Sequence, residues 1–151
     1  MYVLWIAGGL LSITGGVFLA VRRARSSFVI VTVEGTSMTP TLSPGDQVVV
    51  KRRRISEIRR RDIVVIQPPK IHDGRYESLD EKQWNIKRVA ALPGDPVPDG
   101  IPGAQELAQV PQESMVVFGD NHDSIDSRHR GFFPTEHVLG VVIRRLGGRE
   151  L

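Results

Sequence analysis

Hydrophobic and polar positions divide the chain into two regimes. From Met1 to Val21 no side chain is charged, and Leu, Ile, Val, Ala, Gly, Phe and Trp dominate. At ~1.5 Å rise per helical residue, such a run just covers a hydrocarbon core ~30 Å thick. Tyr2 and Trp5 suit one interface, and Arg22, Arg23 and Arg25 mark the other. A cleaved leader would carry its charge ahead of a shorter apolar run and a small-residue cleavage site after it. Here the charges follow a longer run. Residues 1–25 are therefore expected to form one N-terminal transmembrane helix with a basic flank, retained as an anchor, and 26–151 a separate domain.

After residue 25 the apolar positions come in short runs rich in β-branched residues: 28–33, 47–50, 62–66, 115–118 and 138–143. Each is bounded by Gly, Pro or Asp, as in Ser43-Pro44-Gly45-Asp46 and Leu92-Pro93-Gly94-Asp95. No stretch carries a long 3.6-residue period. A single helical turn is expected at 39–43, with a weaker signal at 105–108. The pattern predicts a mainly β fold, a compact antiparallel sheet or barrel-like domain. Residues 70–83 hold seven charged residues and read as an exposed loop, while 95–112, with Pro96, Pro98, Pro102 and Pro111, reads as a turn-rich connection.

Composition narrows the chemistry. The 151 residues include no Cys, which excludes disulfides, thiolate metal sites and a cysteine nucleophile. The net charge of +3 is modest, but seven of the 20 cations lie in Lys51–Arg54 and Arg59–Arg61. That cluster reads either as a solvated connection or as a contact for anionic lipid headgroups. It lacks interleaved aromatics, and nucleic acid is not an expected partner.

Three segments are candidates for chemistry. In Glu34-Gly35-Thr36-Ser37-Met38-Thr39-Pro40, Gly35 permits a conformation other residues avoid and Pro40 ends the preceding strand. Ser37 then sits on a sharp corner, where it could act as a nucleophile with its own N–H in an oxyanion hole; plain turn residues would look similar. Its base could be a histidine, and His122 and His129 lie near Asp123, Asp126 and Ser127, but nothing in the sequence aims any histidine at Ser37, and His137 reads as a surface residue beside a strand. The other candidate is Lys87, which strand alternation places on one face with Val89, opposite Ile86 and Arg88. A lysine among apolar neighbours can lose enough hydration to act as a base. The third segment, 118–134, is too rich in polar side chains for an ordinary connection. There a serine could hold a lysine amine, and Asp126 could pair with Arg128. A metal held by His122, Asp120 and Asp123 is a further reading, although the same residues make an ordinary polar turn.

In order, Gly35-x-Ser37-Met38-x-Pro40-Thr41-Leu42, Gly45-Asp46, Asp62-Ile63-Val64, Ile86-Lys87-Arg88-Val89, Leu92-Pro93-Gly94-Asp95, Gly119-Asp120-Asn121, Asp126-Ser127-Arg128 and Gly131 resemble the type I signal peptidase family of membrane-bound serine proteases. The resemblance covers nearly the whole chain, in a minimal form similar to Gram-positive and organellar members. It implies a Ser/Lys dyad with Ser37 as nucleophile and Lys87 as base, and Ser124 as the serine that hydrogen-bonds the amine. Asp120, Asp126 and Arg128 would be supporting residues, and Gly35 and Met38 would meet the substrate, with exposed apolar surface near Met38 resting on the membrane. Some members carry a hydroxyl where this chain has Gly35, so a backbone group is the expected second oxyanion donor. Arg61 stands where many members have glycine. No cofactor or metal is implied. The partners would be signal-peptide-bearing precursor proteins, cut after small residues, and the lipid membrane. The setting would be a bacterial plasma membrane or an organellar inner membrane. Arg22, Arg23 and Arg25 argue by charge for a cytoplasmic domain, whereas family function places it on the extracytoplasmic side, and the expectation follows function. Other readings are a dedicated maturation protease of the nickel superoxide dismutase type, a non-catalytic membrane-tethered β-module, and a self-cleaving repressor-type protease. The last would need a DNA-binding domain where this chain has an apolar run.

Overall fold

The computed structural model describes residues 27–72, 75–77 and 84–147. The apolar run at 1–21 lies outside them. Among the described residues no helix is long and apolar enough to cross a membrane.

The β-branched runs form strands where the pattern places them: β1 (Phe28–Thr32), β2 (Gln47–Lys51), β3 (Ile63–Ile66), β7 (Ser114–Phe118) and β9 (Val138–Arg145), and the segment around Lys87, outside those five runs, forms β6 (Asn85–Ala91). A two-residue strand, β8 (Phe133–Pro134), completes an antiparallel seven-stranded sheet in the order β1-β2-β9-β3-β6-β7-β8. Register shifts at Val49/Val50, Val65/Ile66 and Val89/Ala91 bend it.

Alternation sorts the core. Val48, Val50, Ile63, Val65 and Ile86 pack in one cluster with Val33, Met38, Leu42 and Val142. Val64, Ile66 and Val89 belong to a second with Met115, Val117, Phe133 and Val141. All four residues of β3 are buried, which explains its unbroken apolar run.

Three expectations need correction. The predicted loop at 70–83 contains a two-stranded ribbon, β4 (Lys70–His72) and β5 (Arg75–Glu77), whose paired residues are too short a run to show a period. No helical turn forms at 105–108. Instead the 95–112 connection folds on itself through a Pro96–Gln109 bridge and packs Ile101, Ala104 and Val110 against Ala91 and Val116. The described α-helical turn, α1, spans Ser127–Arg130, where the sequence pattern gave no periodic signal. The turn expected at 39–43 does appear over 37–41, with Leu42 N–H bonded to Met38 carbonyl at 2.9 Å.

Candidate active site

The chain leaves β1 through Val33, turns at Gly35 (φ +113°) and closes the Ser37 loop by bonds from Thr39 N to Thr36 O and Leu42 N to Met38 O. A positive φ of this size favours glycine, which accounts for Gly35. Met38 and Leu42, 1% and 0% exposed, nail the loop into the first core cluster. Ser37 is thereby held half-buried at the surface of a packed element.

Lys87 lies on β6, opposite Val64 of β3, and is 2% exposed. Its Nζ donates to Ser124 Oγ at 2.7 Å, and Ser124 is itself buried. Burial pushes the Lys87 amine below the ordinary lysine range. Asp126 pulls it part of the way back, and Arg130 and Arg128 push it down further. Ser37 Oγ donates a long bond, 3.4 Å, to the carbonyl of Ile86, the residue beside Lys87. Among the described residues these bonds run to Ile86 and Ser124, and none joins Ser37 Oγ directly to Lys87 Nζ. Geometry of this kind commonly tightens only around substrate.

Ser37, Lys87 and Ser124 line one groove of about 770 Å³ between the end of β1, the start of β6 and the loop after β7. Val31, Gly35, Trp84 and Ile125 form other parts of its wall. Met38 also lines it, but as a buried residue. The exposed apolar side chains on the groove wall are Trp84 and Ile125, 41% and 60% exposed.

Supporting residues brace this arrangement. Arg88 grips Asp120 with two bonds, 2.8 and 2.6 Å, and Thr41 donates to the same carboxylate at 2.5 Å, tying the serine loop, β6 and the loop after β7 together. The hydrogen bond from Arg88, against the cost of burial, holds the Asp120 carboxyl below its usual range. Asn121 adds bonds from its side chain to Thr36 O and Thr39 Oγ1, and from its N–H to Ser37 O at 3.1 Å. Asp126, 0% exposed, caps α1 through Arg128 N, accepts from Gly119 N, and takes two bonds from the Arg128 guanidinium at 2.9 and 2.6 Å. Burial raises the Asp126 pKa, but Arg128 and the two N–H groups outweigh it, so the carboxyl lies below its ordinary value. Arg128 also stacks 5.3 Å over the Phe118 ring.

The structure adds residues the sequence reading passed over. A Cβ on Gly119 would overlap Ser124 Oγ and the Ser37 carbonyl, so the close approach of nucleophile loop and lysine partner depends on glycine there. Thr41, Arg88 and Asn121 were visible as motif letters, but only their contacts reveal the cross-brace. Ser127 is fully buried and accepts from Val117 N at 3.0 Å. His122, Asp120 and Asp123 are not gathered into a metal site: His122 and Asp123 are almost fully exposed and Asp120 faces Arg88. No histidine lines the groove among the described residues. His137 is less superficial than expected, with its side chain 20% exposed and its Nδ1 buried.

Comparison with known proteins finds relatives over most of the chain. The family described as signal peptidase, peptidase S26, matches residues 6–99 and 98–146. The probable signal peptidase I-1 of Synechocystis is 32% identical, the match covering 75% of this chain and 68% of that protein. Signal peptidase I V of Bacillus subtilis is 27% identical, covering 91% and 95%. Subunit 2 of the mitochondrial inner membrane protease of Mus musculus is 38% identical, covering 66% and 55%.

Proposed function

The chain belongs to the signal peptidase family, peptidase S26, and is a serine endopeptidase; we propose that it removes N-terminal signal peptides from exported precursor proteins with a Ser37/Lys87 dyad. The observation that carries this reading is the buried Lys87 amine, held at 2.7 Å by Ser124 in the groove that Ser37 also lines.

Neutral Lys87 donates one N–H to Ser124 and keeps its lone pair for the Ser37 hydroxyl. As Ser37 Oγ attacks the scissile carbonyl, Lys87 takes its proton, then passes it to the departing amine when the peptide bond breaks. The acyl group is left as an ester on Ser37. Lys87 next deprotonates a water, the hydroxide attacks the ester, and the Lys87 ammonium returns the proton to the departing Ser37 oxygen, releasing the acid product and restoring Ser37 and neutral Lys87. The Ser37 N–H faces the developing oxyanion, and a backbone group supplies the second donor, since Gly35 has no hydroxyl. Ser124 is a positioning residue, and Asp120, Asp126 and Arg128 keep its loop in place.

The substrate binds as an extended strand along the free edge of β1, where backbone bonds give affinity and small pockets around Gly35 and Met38 select small side chains one and three residues before the cut. Residues 1–25 anchor the enzyme as a single span, and 26–151 form the catalytic domain on the extracytoplasmic side of the membrane.

The test is cleavage of a synthetic precursor peptide with an Ala-x-Ala site, in detergent, by the wild type, Ser37→Ala and Lys87→Ala. Cleavage after the second Ala by the wild type alone, with both variants folded, is the expected result. Activity retained in either variant would sink the dyad.

A further inference from the structure

The proposed mechanism leaves unused the densest charge in the molecule. The connection from Lys51 to Asp62 holds seven cations against two carboxylates, whereas the whole chain nets +3, so the remainder is net negative. This connection is an ordered turn. Ile58 is buried at 4% exposure, and Ile55–Glu57 form a 3-10 turn. The two carboxylates are already engaged, Glu57 by Arg54 N and Arg53, and Asp62 by Arg59 N. Arg52, Arg54, Arg59, Arg60 and Arg61 remain exposed, and the nearest acid to Arg60 is Asp95 at 4.0 Å.

Position gives this patch a meaning. Lys51 pairs with Phe28 in the β1–β2 register and lies 5.7 Å over its ring, and Arg52 N donates to Ser27 O at 2.8 Å. The basic turn therefore sits at the end of the sheet from which the chain runs back to residues 1–25. Two apolar side chains, Ile55 and Phe28, are 37% and 41% exposed beside it.

We propose that the Lys51–Arg61 turn docks on anionic headgroups of the bilayer that holds the N-terminal span, giving the catalytic domain a second membrane contact. The inference rests on the membrane-anchored reading above. A cluster of basic residues next to a span is attracted to an anionic leaflet. Guanidinium groups match phosphate oxygens, and apolar side chains such as Ile55 can settle among the headgroups. One tether leaves the domain free to tumble; a second contact fixes its tilt, and with it the height of the groove.

The chain has no cysteine, so a single label can be placed at Ser56→Cys in the full chain reconstituted in lipid nanodiscs carrying a headgroup-level quencher. Discs of zwitterionic lipid and discs with added anionic lipid are compared, with Glu106→Cys, outside the basic turn, as the control. In anionic discs the label at 56 should be quenched about threefold or more above the zwitterionic level. The difference should vanish as salt rises from about 0.1 to about 1 M, where the screening length falls from ~10 to ~3 Å. It should also vanish when Arg52→Gln, Arg54→Gln, Arg59→Gln and Arg60→Gln are combined, while peptide cleavage in detergent is unchanged. Equal quenching in both kinds of disc, or insensitivity to the four substitutions, would overturn the proposal. A chain that fails to co-purify with the discs would overturn the anchored reading first, and the proposal with it.

Discussion

Burying an amine such as that of Lys87 leaves a thermodynamic signature that can be read separately from activity. Its pKa is lowered in the folded state, so between that value and the unfolded value near ~10.4 the unfolded chain binds more protons. The cost to stability is therefore fully present below the folded pKa and disappears as pH rises toward the unfolded one. Lys87→Met should remove this slope: denaturant titrations should show the variant gaining on the wild type at neutral pH and losing that advantage toward pH 10. A constant difference would mean that the amine is not desolvated. Ser124→Ala frees the amine to adopt other rotamers, and kcat should fall by about 10²-fold with KM little changed. The sequence allowed this burial, because Val89 and Ala91 share a face with Lys87, but a rim lysine with an exposed head fits the same pattern. The buried Ser127 was not legible, because a serine in a polar loop carries no sign of which way it faces.

Among the elements, the serine loop and the loop after β7 are held together by Asp120, Arg88, Thr41 and Asn121, and they touch at Gly119. Gly119→Ala would force the two loops apart. Cleavage should drop by about 10²-fold or more, with a stability loss of only about 1–3 kcal/mol in urea; unchanged cleavage would mean that the contact has slack. Arg61 adopts φ +75°, in a turn closed by bonds from Arg61 N to Val89 O and from Arg88 Nη1 to Arg61 O. A glycine would adopt this φ without strain. Arg61→Gly should keep or raise stability by up to about 1 kcal/mol, whereas Arg61→Val should lower it, since a β-branched residue resists that conformation. The long strands were legible because alternation repeats often enough to be counted. The β4–β5 ribbon and α1 were not, since three paired residues or one turn cannot establish a period, and their bonds come from partners elsewhere.

For the molecule as a whole, the antiparallel sheet was implied by the succession of β-branched runs and turn residues. Its strand order was not, because the pairing of β9 between β2 and β3 joins residues 72 to 97 positions apart in the chain and leaves no local trace. The same order matters for the proposed function, since among the described residues β1 is the end strand, and its last residues line the groove. In the proposed mechanism a side-chain base and backbone oxyanion donors leave no step for a metal, so EDTA should leave peptide cleavage unchanged, and loss of activity with the chelator would revive a metal site. The central claim is that Lys87 is the base, and its most direct test is titration of a labelled Lys87 side chain by NMR in the folded enzyme, set beside the pH dependence of kcat/KM. The account predicts a Lys87 pKa well below the ordinary ~10.4 that coincides with the rising acid limb of the rate profile. Titration at the ordinary lysine value, or an acid limb that does not follow it, would contradict the account.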